Sequence, residues 1–303
     1  ADRSKLQINA SYGISHRALP EYDRVSKSQW YELMWETLRN INLNQGETAG
    51  TAALKASEGL IPYIGGYNAY NVPNHQLVDT EGKMSPGARL LWTDDWQEEL
   101  IVTGRKQEIS LNANGGNDKT AWYASASMLN DKGIIRSSDY NRYSARLNLN
   151  SAIHDYIQVG MNLSGTVSDQ NYPQTASTDY TNSFMLTRMI APVYPVYLYD
   201  LQGNLQQDAA GKKLYDYGNS YNRSRQYAAN VNPLGTIGLD TRLYRQDNAG
   251  ARAFIDARLL QGLHLRISGS GDLYSVTSIN HENQRYGPSA AFQGRSTRES
   301  GRT

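Results

Sequence analysis

The chain has 303 residues, with 30 Lys plus Arg against 29 Asp plus Glu, so its formal net charge is +1. That balance argues against a nucleic-acid binder, which carries a distinctly basic surface. The lack of any cysteine excludes disulfide frameworks, thiol catalysis and Cys-ligated zinc. Mean hydropathy is −0.64 and no apolar run approaches the roughly 20 residues of a membrane helix, although a barrel with alternating strands also averages out as polar.

The N-terminus, ADRSKLQINASYG, lacks the basic start and apolar h-region of a signal peptide. It runs straight into a strand pattern over 5–14 (Leu6, Ile8, Ala10, Tyr12, Ile14), as if cut from something longer. Residues 26–40 predict a helix: Ser26 and Gln29 have capping-box spacing, and Trp30, Leu33, Met34 and Leu38 form an apolar stripe that reads as packing. A shorter helix is expected over 51–60. The Tyr-rich loop 62–76 follows, where Tyr63, Tyr67 and Tyr70 either stack on sugar rings, meet a partner protein, or simply pack. Asp94, Asp95, Glu98 and Glu99 have the look of a glycosidase carboxylate pair. Flanked by Trp92 and Trp96 on one short amphipathic stretch, they read better as a solvated face beside an anchored tryptophan pair.

Six further alternating runs predict strands near 105–115, 120–130, 141–150, 156–168, 249–260 and 263–275, with a helix over 179–190 between the fourth and fifth of them. Several runs exceed the usual soluble strand of about 5–6 residues and suit a tilted bilayer span. The connections alternate in length. GGNDK, SAIHD and Gln261-Gly262 are short, whereas 15–104, 131–140 and 169–248 are longer. Short turns at one end and large loops at the other are the asymmetry of outer-membrane barrels. Loops of this size are either functional or disordered, so the long-loop end is expected to be a working surface.

The run 139–165 carries Tyr143, Ala145, Leu147 and Leu149 on one face and Arg142, Arg146, Asn148 and Asn150 on the other; Asn162 follows the same rule in the next run, as do Arg252, Asp256, Arg258, His264 and Arg266 later. A basic side chain at the bilayer midplane costs about 2–4 kcal/mol, so in a membrane the polar set must face a wet lumen. Periodicity alone leaves a second answer open: a soluble Tyr-rich β-sandwich, acting as a glycan-binding or adhesin module, whose apolar face meets another sheet.

No catalytic signature is present, and His16, His75, His154, His264 and His281 are scattered without metal-ligand spacing. DLQGN (200–204) reads as a turn, and SGSGD (268–272) lacks the Lys-Ser/Thr of a phosphate loop. Neither an enzymatic role nor a cofactor is expected.

Residues 115–165 resemble the early barrel segment of SusC/RagA-type TonB-linked outer-membrane transporters. The resemblance rests on Gly115, Gly116, Asp118, Lys119, Trp122 and Tyr123, then Gly133, Ile134, Ile135, Ser138, Asp139, Tyr140 and Arg142, then Asn148, Leu149 and Asn150. TDDWQEEL (93–100), PVYPVYLYDLQGN (192–204), NPLG (232–235) and LLQGLHLRISGSGD (259–272) agree in order. The resemblance implies an all-β chain, an antiparallel transmembrane barrel segment of a ~22-stranded barrel with long, partly helical extracellular loops and no plug. It implies outer-membrane location among lipid, uptake of a glycan or peptide ligand, a SusD-like surface lipoprotein as partner, and TonB acting through the family's N-terminal region, which is absent here. Arg142, Arg146, Asn148 and Asn162 are then lumen-facing.

Overall fold

The computed structural model describes residues 4–173 and 182–303. Among them, eight strands form one antiparallel sheet in which each strand pairs with its neighbours in sequence: β1 (Lys5–Ser15), β2 (Gly104–Gly116), β3 (Thr120–Lys132), β4 (Asp139–His154), β5 (Ile157–Asn171), β6 (Thr241–Leu260), β7 (Leu263–Glu282) and β8 (Arg295–Arg302). β1 and β8 are unpaired on their outer sides, so the sheet is not closed.

The pairing register keeps the two faces chemically distinct. Ala113, Ala124, Leu147, Leu163, Ala251 and Gly271 form one continuous row; Ser125, Arg146, Ser164, Gly250 and Asp272 form the next, on the opposite face. A one-residue slip of any strand would exchange the two sets. Among the described residues nothing covers the side chains of the apolar face: Leu147 and Leu163 are each 37% exposed and Ile255 is 52% exposed. This removes the sandwich alternative, whose apolar face would have to lie against a second sheet.

The sequence expectation of seven strands is corrected to eight, and β4 to β7 outrun their expected bounds. The cause is visible in the apolar face itself. On β6 it is apolar from Leu259 to Ala249 but then presents Asp247 and Arg245, and Arg245 pairs with Asp169 of β5 through its Nε at 2.6 Å and Nη2 at 2.8 Å. Ten steps of about 3.4 Å, tilted about 45°, make a band about 24 Å tall, which matches the apolar belt of a membrane barrel. Beyond that belt the apolar parity is interrupted by Asp247, Arg245, Ser275 and Thr277, with Leu243 and Ile279 left isolated, so the regular alternation that signals a strand breaks down while the ladder continues. β8 pairs only with the polar extension of β7, from Ser275 to Glu282, and has no apolar alternation of its own.

The true hydrophobic core lies in the long loops. Residues 16–103, between β1 and β2, and 182–240, before β6, pack into a cap centred on Tyr31, Trp35, Leu60, Ile61, Tyr67, Trp92, Trp96, Tyr194 and Leu234. α1 (Lys27–Asn44) starts at Ser26, whose side chain accepts from the Gln29 amide while the Gln29 side chain accepts from the Ser26 amide, the capping box expected. The buried side of α1 is Tyr31, Trp35 and Leu38, with Trp30 and Met34 at its margin; Leu33 is exposed, so the predicted stripe is rotated by about one position. α2 (Ala49–Tyr63) is longer than expected, capped by Thr48, and its Ala52, Ala53 and Ala56 are all buried. Trp35 Nε1 donates to Ser57 Oγ at 2.9 Å between these two helices. α3 (Trp96–Leu100), α4 (Ser183–Met189) and α5 (Pro233–Thr236) complete the cap. Of the helix expected over 179–190, residues 179–181 lie outside the described residues.

Candidate functional site

The polar face of the sheet is the first candidate surface. The four predicted wall residues fall on it together. Asn148 of β4 lies directly opposite Asn162 of β5, Arg252 of β6 continues that row, and Arg146 lies in the adjacent one. Arg146 and Asn162 are exposed and Asn148 is half-buried. Arg142 differs: its row also holds Leu129 and Ser168, both buried, and its Nε is buried without a partner. The open part of the wall is therefore lower on the sheet than the sequence pattern alone suggests.

One wall residue escaped the sequence reading. Phe254 shares the parity of Arg252 and Asp256, and it lies opposite Gly160. A Cβ at Gly160 would come within 2.1 Å of the Phe254 ring, so the glycine makes room for the aromatic ring to lie across the strand. The Arg266 guanidinium sits 4.0 Å from the ring centroid. The sequence clue is a phenylalanine at a position of otherwise polar parity, facing a glycine across the ladder.

The second candidate surface is the cap. Its organisation explains why two distant sequence motifs occur together. Trp92 Nε1 donates to the Val193 carbonyl at 3.0 Å and Trp96 Nε1 to that of Tyr194 at 2.9 Å. Asp94 Oδ2 accepts from the Val196 and Tyr197 amides at 2.6 and 3.1 Å. TDDWQEEL and PVYPVY thus clasp each other through tryptophan indoles and one carboxylate. Asp95 caps α3 through the Gln97 and Glu98 amides, and Glu99 accepts from Arg136 Nη2 at 3.3 Å and from the Tyr197 hydroxyl at 2.5 Å. The acidic cluster is consequently not the solvated face that the sequence suggests; among its four members only Glu98 is exposed. The anchored tryptophan pair is present as expected, with both rings 2% exposed.

The three loop tyrosines part company. Tyr63 is 44% exposed, whereas Tyr67 is fully buried and Tyr70 is 9% exposed. Tyr67 and Tyr70 are thus corrected from contact candidates to core residues. Gly65 and Gly66, at φ +80° and +85°, turn the chain inward so that the following tyrosine enters the core. Tyr67 packs edge-on against Tyr194 at 5.0 Å, and its hydroxyl donates to Asp216 Oδ1 at 3.2 Å. Burial, and then the Asp216 charge, push its phenol well above the ordinary range. Segment 218–230 lies over this layer and drives two arginines inward: Arg223 over the Tyr67 ring and Arg225 over Trp96, with centroid distances of 4.9 and 5.6 Å. Arg225 is 2% exposed; burial lowers its pKa, with Asp216 opposing. DLQGN is the expected turn, with Gly203 at φ +84° and Asp200 Oδ1 accepting from the Gln202 and Asn204 amides.

No family model matches the chain. Among curated proteins it is 26% identical over 210 residues to TonB-dependent receptor P39 of Formosa agariphila, an alignment covering 69% of this chain and 17% of that protein. A second receptor of that organism, TonB-dependent receptor P3, is 30% identical over 71 residues, covering 23% of this chain and 7% of that one. The chain therefore spans a small part of the length of the relatives it matches. Among solved structures, the RagAB peptide transporter superposes with a TM-score of 0.59 at 19% identity, over 100% of this chain and 32% of that one. Open sheet, apolar belt, clasped loops and these likenesses agree: the chain resembles a segment of the antiparallel barrel of TonB-dependent receptors.

Proposed function

We propose that the chain forms part of the wall and the extracellular face of an outer-membrane importer that takes up a glycan or peptide nutrient. The observation that carries this reading is the two-faced sheet, with a bare apolar belt about 24 Å tall on one side and rows of Arg, Asn and Ser on the other. Such a wall separates lipid from a wet passage. Arg146, Asn148 and Asn162 line that passage, with Arg142 at its shielded upper margin. The capped loops face outward, where Tyr63 keeps a free ring for ligand or partner. A SusD-like surface lipoprotein closes over them, and TonB supplies the force for uptake. Binding and gated passage account for the arrangement without covalent chemistry.

The test uses the full-length protein in its native cell. It is expected to fractionate with the outer membrane, to migrate differently on a gel before and after boiling, and to be required for growth on one polymeric nutrient. Recovery in the soluble fraction, with no heat-dependent shift in migration, would overturn the reading.

A further inference from the structure

Segment 218–230 is built unlike the rest of the cap. Its only buried side chains are Arg223 and Arg225; Tyr227 and Ala228 are half-buried and Tyr221 is exposed. The buried apolar surface that holds an ordinary loop to its core is therefore largely missing. Two guanidiniums take its place, stacked on the Tyr67 and Trp96 rings. Arg225 Nη2 donates to the Asp216 and Val231 carbonyls at 3.3 and 2.5 Å, but its Nε and Nη1, and Asp216 Oδ2, are buried with no hydrogen-bond partner. Unsatisfied buried polar atoms, those of a charged group above all, oppose this closed arrangement. The backbone opposes it as well: Tyr221, Asn222, Ala228 and Asn230 hold φ between +55° and +61°, the left-handed region that side chains disfavour.

Against these costs stand the ring stacking and hydrogen bonds to the layer below. The Ser224 amide donates to the Gly65 carbonyl at 2.9 Å, Gln226 Nε2 to that of Tyr63 at 2.7 Å, and Arg223 Nη2 to that of Tyr199. Both feet of the segment rest on the β7–β8 loop. The Tyr217 ring stacks in parallel on Tyr286 at 3.6 Å and 7°, and the Asn230 carbonyl accepts from the Gly287 amide at 3.2 Å. A cavity of about 530 Å³, lined in part by Tyr286 and Gly287, leaves that loop room to move. We propose that 218–230 is a lid over the Tyr67, Trp92 and Trp96 layer, latched at its feet by Tyr286 and Gly287, and that release of the latch lifts it as a unit. Lifting brings two arginines into water and relaxes four left-handed residues, whereas closing restores the stacking, so two packings of the same segment lie close in free energy. The β7–β8 loop is the control point, because a pull on it from outside uncovers the aromatic layer. This device goes beyond the import reading and stands whether or not the protein imports a nutrient.

Tyr67 and Tyr31 give an internal comparison, because both are 0% exposed but only Tyr67 has a lid arginine over its ring. The purified full-length protein in detergent is exposed to hydroxyl radicals, and oxidation is read residue by residue by mass spectrometry. Tyr67 is expected to oxidise at least about tenfold faster than Tyr31, because it is uncovered by local opening rather than by unfolding of the cap. Tyr286→Ala removes the latch ring and is expected to speed Tyr67 by a further factor of about five or more, with Tyr31 unchanged. Tyr22→Ala, at a tyrosine 91% exposed elsewhere in the cap, is the control and should alter neither rate. Equal oxidation of Tyr67 and Tyr31 in the unsubstituted protein would overturn the proposal. So would a Tyr286→Ala variant that leaves Tyr67 unchanged or speeds both tyrosines alike. The first comparison needs no substitution and decides the matter even if Tyr286→Ala fails to fold.

Discussion

Leu163 and Asn162 are adjacent in β5, yet they face opposite ways: Leu163 lies between Leu147 and Ala251 on the apolar face, Asn162 between Asn148 and Arg252 on the polar one. Replacing each by arginine separates the effect of the face from the effect of the residue. The apolar side of β5 runs from Ile157 to Val167, which places Leu163 close to its middle. An arginine there is expected to cost about 2–4 kcal/mol at the bilayer midplane, a factor of roughly 30–700 in the folding equilibrium. Asn162→Arg adds a charge beside Arg252 in water, a repulsion of about 0.2–1 kcal/mol. The assay is guanidinium unfolding of the full-length protein from lipid vesicles, followed by loss of the heat-dependent gel shift. Equal costs for the two variants, or a silent Leu163→Arg, would refute the assignment of faces.

The cap offers further tests, read by tryptophan emission because Trp30, Trp35, Trp92 and Trp96 are four of the chain's five tryptophans. Asp94→Ala strands the Val196 and Tyr197 amides, and at about 1–3 kcal/mol per unsatisfied buried donor the stability of the cap should fall by about 2–6 kcal/mol; Asn at this position should cost less. Gly65→Ala places a Cβ 1.6 Å from the Ser224 carbonyl at φ +80° and should cost more than about 2 kcal/mol, whereas Gly46→Ala, at φ +91° with no neighbour, should cost about 1. Ser26→Ala removes the cap of α1 and should cost about 1 kcal/mol in the same assay. Hydrogen bonds from Arg188 and then Arg17 hold Glu21 down at about 2, below its ordinary 4.5. Its contribution is therefore complete above pH 4.5 and is lost as the pH falls toward 2. Glu21→Gln should flatten the stability profile in that window, and an unchanged profile would contradict the pairing.

The barrel wall was legible in the sequence because its two environments write a period of two directly into the chain. Arg142, Arg146 and Asn148 alternate with Tyr143, Leu147 and Leu149, and the register follows from that alternation. Where both faces meet water the regular pattern breaks down, which hides β8 and the outer parts of β6 and β7. The cap was legible only locally. Ser26 and Gln29 announce a helix start, but nothing in their spacing says that Tyr67 turns inward or that Asp94 reaches the 196–197 amides, 102 residues away. Those facts depend on two loops folding against each other, and composition registers them only as an excess of tyrosine: 22 Tyr against 3 Phe. A core that also needs hydroxyls for buried partners such as Asp216 and the Tyr67 carbonyl favours the phenol over the plain ring.

The orientation of the wall can be measured directly, and the absence of native cysteine in this chain makes single-site labelling simple. Spin labels placed in turn at positions 143 to 149, in the full-length protein in lipid vesicles, report contact with oxygen dissolved in lipid or with a water-soluble nickel chelate. Oxygen contact is expected at 143, 145, 147 and 149 and nickel contact at 144, 146 and 148, in strict alternation. Uniform nickel contact along the stretch, or oxygen contact peaking at Arg146, would contradict a wall that stands between lipid and water.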